Sequence, residues 1–338
     1  MQGRKGRPDG PPKAGERTFR YDQKSVRGFL GIACWIAVGV AATSSACSVK
    51  KYAIRQVGAS LSSGSSVYES DEDVELIGDA LPFSLKFVES LLAEVPDDRN
   101  LLLTAARGFT LYSYAYVDFE ADKIIEEDLA EGRRMHARAS KLYERALRYG
   151  FRALDSLYPG FEENLRRNPA EAVAVTDPKK AERDLPLLYW TAASLGLAAS
   201  TAQSDVSLLA RLPEVEALLN RAMELEPDWD DGALHAFQVT FASSRPGRLD
   251  RELVDRSYHR AIELSHGGNA GVYVAYAEAI AVPEQDVAQF RELLGKALAV
   301  DIDKYPDDRL ANMLAQRRAQ WLLDRIEDLF LVVEPAPQ

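Results

Sequence analysis

Two cysteines in 338 residues, Cys34 and Cys47, cannot build a disulfide framework. The fold must therefore be held by packing. The four histidines, His136, His235, His259 and His266, show no i, i+4 pairing with a second His or Cys, so no metal-ligand spacing exists. Neither a Gly-x-Ser-x-Gly elbow nor a glycine-rich phosphate loop occurs. Runs of alternating β-branched residues between tight hairpin turns are missing too, which argues against a sheet. Acidic runs such as Glu126-Glu127-Asp128 read as solvated helix faces. No catalytic residue, metal or cofactor is expected.

What is present starts with an export signal. Residues 1–27 carry eight basic side chains against Asp9, Glu16 and Asp22, followed by an apolar run, Gly28–Ala42, of about 15 residues. A spanning helix needs about 20, so this run fits a signal peptide better than an anchor. Ser44, Ser45 and Ala46 then offer a cleavage site, and Cys47 would head the mature chain as the lipid attachment point. The layout is that of a bacterial lipobox, with Ser44 where leucine is usual. An ordinary cut and an uncut anchor are the alternatives. Ser48 after the cysteine favours the outer membrane over the inner one.

Removing residues 1–46 lowers the 41 Lys and Arg to 33 and the 52 Asp and Glu to 49, a formal −16. That acidity argues against nucleic-acid binding, which depends on neutralising phosphates. The expected organisation is a signal at 1–46, a flexible tether at 47–67, a helical domain at 68–331 and a disordered tail at 332–338. The tether ends in a Ser/Gly-rich stretch. Ser70 or Asp71 is expected to cap the first helix.

From residue 73 onward the apolar spacing is helical, as at Phe87, Val88, Leu91 and Leu92 before Pro96. The fold class is all-α. A short signature recurs, an aromatic or Leu followed three residues on by Ala, at Tyr143/Ala146, Leu219/Ala222, Tyr258/Ala261 and Leu294/Ala297. Each is expected to precede a helix end by about five residues. The last three alanines are 39 and 36 residues apart, and 146 to 222 is 76. Tetratricopeptide units have a period of about 34 with a small residue at the helix crossing. The expectation is a tetratricopeptide-like α-solenoid of helix pairs with extended loops; an antiparallel helical bundle is the alternative. Residues 117–132 and 150–186 read as insertions lining one face.

Aromatic residues gather in two places. Phe109, Tyr112, Tyr116 and Phe119 are spaced 3, 4 and 3 and should share a helix face, with Tyr114 pointing elsewhere. Tyr189 and Trp190 adjoin the small-residue stretch TAASLGLAAS. Large rings opposite small residues leave gaps, and such gaps host apolar ligands. These six rings are the candidate cavity lining, against the plainer reading that they are core.

The blocks at 70–122, 184–200 and 310–330, notably Ala80-Leu81-Pro82-Phe83 and Leu188-Tyr189-Trp190, resemble the T-component family of TRAP transporters. The resemblance runs from about residue 67 to 331. It implies a periplasmic lipoprotein of tetratricopeptide-like fold that associates with a TRAP-type substrate-binding protein and offers a cleft or pore to a small apolar or amphipathic solute. It transfers no catalytic motif. The alternative is a lipid-anchored scaffold for protein assembly without a ligand; a homo-oligomer stays open. A scaffold would show a groove lined by charge, a binder a closed apolar pocket.

Overall fold

The computed structural model describes residues 54–56, 66–202, 205–245, 247 and 249–331. Cys47, the signal, most of the tether and the tail at 332–338 lie outside the described residues, as does the apolar run at 28–42. Among the described residues every regular element is helical, and no helix is long and apolar enough to cross a membrane.

Ten helices carry the architecture: α1 Val74–Glu94, α2 Arg99–Ser113, α3 Leu129–Leu157, α4 Ala181–Thr201, α5 Leu212–Leu225, α6 Ala233–Ser244, α7 Arg251–Leu264, α8 Ala270–Tyr276, α9 Val287–Leu298 and α10 Arg309–Asp324. Aspartate starts many of them. The side chains of Asp73, Asp98, Asp128, Asp250 and Asp286 each accept from a backbone N–H in the first turn of the helix they precede. A negative cap also complements the positive end of the helix dipole. The first cap is Asp73, not Ser70 or Asp71: Asp73 accepts from Leu76 N–H at 2.9 Å, while Asp71 is occupied by the N–H of Asp73 at 2.8 Å.

Each helix buries one apolar stripe against its sequence neighbour, α1 on α2, α2 on α3, α3 on α4 and α4 on α5. The core has two parts. One joins α1 to α5 and takes in Leu234 and Phe241 of α6; the other joins α7 to α10 and takes in Val239 of the same helix. Helix α6 is apolar on both sides and serves both.

The recurring alanines lie where the pattern requires small residues. Ala146, Ala222 and Ala297 are fully buried, and Ala261 nearly so. A Cβ on Gly232, whose φ of 91° is left-handed, would come within 3.1 Å of Ala261 Cα, which marks a close crossing. Ala146 departs from the expectation: it is eleven residues from the end of α3 at Leu157. The stretch 150–186 is likewise not all insertion. It completes α3, adds the short helices Phe161–Arg167 and Pro169–Val173, and begins α4 five residues before Pro186.

The end of the array returns to its start. Helix α10 packs on α8 and α9 and also on α1 and the short helix Ser66–Glu69. Arg317 donates to Glu75 at 2.6 Å, Arg309 to the Ser70 carbonyl at 3.1 Å, and Arg325 pairs with Glu126. These contacts bridge up to 242 residues of sequence.

Enlarging a side chain at a close crossing forces neighbours apart at about 1–3 kcal/mol. Ala222→Leu and Ala261→Leu should each lower the thermal midpoint accordingly. Unchanged melts for both would show that these helices do not cross at their alanines.

Candidate functional site

Two helices carry a π turn, and the turns are joined. After α2 the chain passes through a π segment, Tyr114–Asp118, and continues as Phe119–Ile124; after α8 it passes through another, Ala277–Ala281. A π turn inserts a residue and redirects the side chains beyond it, and such turns concentrate at functional sites. Arg318 of α10 links the second π segment to the helix that follows the first. Its guanidinium donates to both carboxylate oxygens of Glu278, at 3.0 and 2.7 Å, and to Asp122 at 3.0 Å. Burial works against this charge, but the carboxylates of Glu278 and Asp122 outweigh it and hold the arginine protonated.

Beside it, Asp118 accepts three hydrogen bonds, from Nδ1 of His136 at 2.8 Å, Tyr143 OH at 3.0 Å and Thr201 Oγ1 at 3.0 Å. The other ring nitrogen of His136 lies 3.5 Å from Asp122. The network therefore ties α3, α4, α8 and α10 to the segment following α2. Burial, with Asp118 alongside, pushes the Tyr143 phenol well up, so it stays a donor.

Tyr114 lies beside this network: 45% of its surface is accessible, and burial pushes its phenol up, with Arg318, Glu278, Asp118 and Asp122 in electrostatic reach. Asp230, also exposed, has its carboxyl pushed up by burial and countered by Arg107. Asp230 and Asp231 both have left-handed backbones, φ of 51° and 50°, a geometry aspartate tolerates better than most residues. Arg107 pairs with Glu69, lies 5.5 Å from the centre of the Trp190 ring, and has its guanidinium pushed down by burial.

An apolar cavity of about 510 Å³ opens between α4 and α6. Leu197, Leu209, Leu212, Phe237 and Phe241 form its greasy wall, Gly196 and Ala199 leave the room, and Ser200, Thr240 and Arg245 supply polar groups. Arg245 is held by Glu216 at 3.0 Å and stands over the Phe241 ring.

The six rings singled out from the sequence fall into four places. Phe109 is buried and stacks on Tyr149. Tyr112 and Tyr116 stack with centroids 5.9 Å apart, and Tyr116 donates to the Val74 carbonyl while its ring fills the space beside Gly78. Phe119, beyond the π turn, meets Trp321 of α10 edge-on instead. Tyr189 sits among Trp190, Trp229 and Phe237, and burial pushes its phenol up to about 12. None of the six lines the α4/α6 cavity, although Tyr189 backs its Phe237 wall at 5.9 Å. Arg318, Glu278, Asp118 and Asp122 escape sequence reasoning because only the fold brings them together.

The fold and site define an all-α protein whose last long helix packs back on its first, joined by a charge network, with an apolar cavity between α4 and α6. The chain belongs to the TRAP transporter T-component family, whose profile matches residues 70–330. It is also similar to an uncharacterized protein of Treponema pallidum (strain Nichols), 27% identical over 267 residues that cover 78% of this chain and 83% of the relative.

Removing one partner of a part-buried charge network leaves the others unpaired, at about 1–3 kcal/mol. Arg318→Met should destabilise the protein by that order in denaturant melts, and Arg318→Lys by less. A melt of Arg318→Met within 1 kcal/mol of wild type, taken as about experimental scatter, would remove Arg318 as the latch.

Proposed function

We propose that the chain is a lipid-anchored T component of a periplasmic TRAP system, fixed to the membrane through Cys47, that accepts a small apolar or amphipathic solute and associates with the TRAP-type substrate-binding protein. Family membership points to a role in TRAP transport, and the family is one of transporter components, not enzymes. The observation that carries solute binding is the cavity between α4 and α6. Its volume of about 510 Å³ lies within the range of small-molecule sites, and its wall is apolar with a few polar groups at hand. A solute's apolar part would lie on Leu197, Leu212, Phe237 and Phe241. The buried alanines at 222, 261 and 297 support a tetratricopeptide-like pairing of the helices.

The scaffold reading draws on a different observation, the charge cluster of Arg318, Glu278, Asp118 and Asp122. Titrating the full chain in detergent with a TRAP-type substrate-binding protein of the same organism, with and without cargo, separates the two. The transport reading expects a transient complex of about micromolar affinity. No complex at about tens of micromolar in either state, with no solute in the cavity, would favour the scaffold.

The tether has its own test. Cys47→Ala should release the mature protein from membranes or leave an uncleaved precursor. Mature-sized protein still in the membrane fraction would refute a lipid at Cys47.

A further inference from the structure

Helix α3 carries cations at residues 134, 138, 141, 145, 148 and 152. The spacing of 4, 3, 4, 3 and 4 places all six on one face, a stripe about 27 Å long at 1.5 Å per residue. All are exposed except Arg145, which is half-buried. In a mature chain of formal −16 such a concentration is unusual, because most arginines elsewhere are matched: Arg166 by Glu162, Arg211 by Glu214, Arg256 by Glu252, Arg260 by Asp228. On the stripe only the outer Arg134 and the central Arg145 are so matched, by Glu131 and Glu89. Among the described residues, Arg138, Lys141, Arg148 and Arg152 have no carboxylate within ion-pair reach. Arg138 instead donates to Tyr112 OH at 3.3 Å and Arg152 to the Pro96 carbonyl at 2.7 Å.

The stripe is also shaped. A cleft of about 360 Å³ lies along its middle, lined by Arg138, Lys141, Leu142, Glu144, Arg145 and Arg148. Arg145 of that lining is fixed from behind by the Glu89 carboxylate, which accepts from two Arg145 nitrogens and the Tyr149 hydroxyl, at 2.5, 2.7 and 2.6 Å. Burial raises that carboxyl, yet hydrogen bonds from Lys86, Tyr149 and Arg145 outweigh it and hold it below the usual carboxylate range. Glu89 is thus committed to Arg145, Tyr149 and Lys86 and leaves the four remaining cations to face outward.

We propose that this face of α3 is a docking surface for an acidic protein, and that its occupant is a carboxylate-rich ridge or helix of that partner. Charge complementarity selects the class of partner, and the width of the stripe selects protein over membrane. An anionic bilayer is a plane and meets the net acidity of the domain together with the stripe, whereas a protein ridge can meet the stripe alone. Beyond about 8 Å each interaction is screened at physiological ionic strength, so only groups seated against the stripe gain from it. The identity of the partner, the substrate-binding protein, rests on the transport reading above; the docking surface does not.

The test uses the full chain in detergent, wild type beside Arg138→Glu/Lys141→Glu/Arg148→Glu and a charge-matched control, Lys179→Glu/Lys180→Glu/Lys304→Glu. Exposed positions leave the fold intact, which the melts check. Against the substrate-binding protein, the α3 variant should bind about tenfold more weakly or worse, the control should stay within about twofold, and added salt should weaken the wild-type complex. Equal binding by wild type and the α3 variant, or equal loss in the control, overturns the proposal. If that protein binds neither form, the transport partnership fails, and a polyglutamate peptide decides the surface. Salt-sensitive peptide binding lost only in the α3 variant sustains it, and no peptide binding overturns it. Stripe-dependent binding to phosphatidylglycerol vesicles without peptide binding overturns it in favour of a lipid surface.

Discussion

The structure depends on the bridge that Arg318 makes between Glu278 and Asp122. A row of helices, each packed on the next, is open-ended unless its last element meets its first. Here the last long helix reaches the second π segment, the stretch that follows the first, and α1, and the meeting is made mainly by charge: Arg317 with Glu75, Arg318 with Glu278 and Asp122, Arg325 with Glu126. One aromatic contact, Phe119 with Trp321, accompanies them. The other interfaces are mainly apolar, with single ion pairs such as Arg145 with Glu89 alongside. The seam is thus the part of the fold that depends most on the pairing of a few named groups, because a buried charge is tolerated only while its partners stay in place.

Closure has a chemical consequence. It brings charged groups from α10, the π segment after α8 and the helix after α2 together at Arg318. Apart from that polar cluster lies the apolar room, where Gly196, Ala199 and Ser200 of α4 oppose Phe237 and Phe241. Phe237 touches Tyr189, which has Asp230 and Arg107 in electrostatic reach, so charge lies behind that wall. An amphipathic solute is the class of molecule that both environments suit. The outer surface divides as well, with the acidic body on one hand and the cation face of α3 on the other.

Much of the fold was legible because helical periodicity and caps are local. The apolar spacing places the helices, and the recurring alanines at 222, 261 and 297 mark positions with no room to spare. Family membership, carried by Leu188-Tyr189-Trp190 and its companions, was legible too. The site was legible only in part. The small-residue stretch of α4 does leave a gap, but the rings across it are Phe237 and Phe241, some 47 to 52 residues along the chain from Tyr189 and Trp190. The π turn at Tyr114–Asp118 has no signature in composition, so the 3, 4, 3 spacing over-predicts a shared face and Phe119 goes to Trp321. Ion pairs between residues 75 and 317 cannot be seen in a single sequence at all.

The central claim is that a solute occupies the cavity between α4 and α6. Native mass spectrometry of the full chain, released in detergent and equilibrated with a small-molecule extract of its own cells, tests it directly when paired with Ser200→Phe, which fills that cavity. The account predicts a discrete small-molecule adduct on the wild type that is lost from the variant while the fold is kept. An adduct retained by Ser200→Phe, or a wild-type chain that carries none, would contradict it.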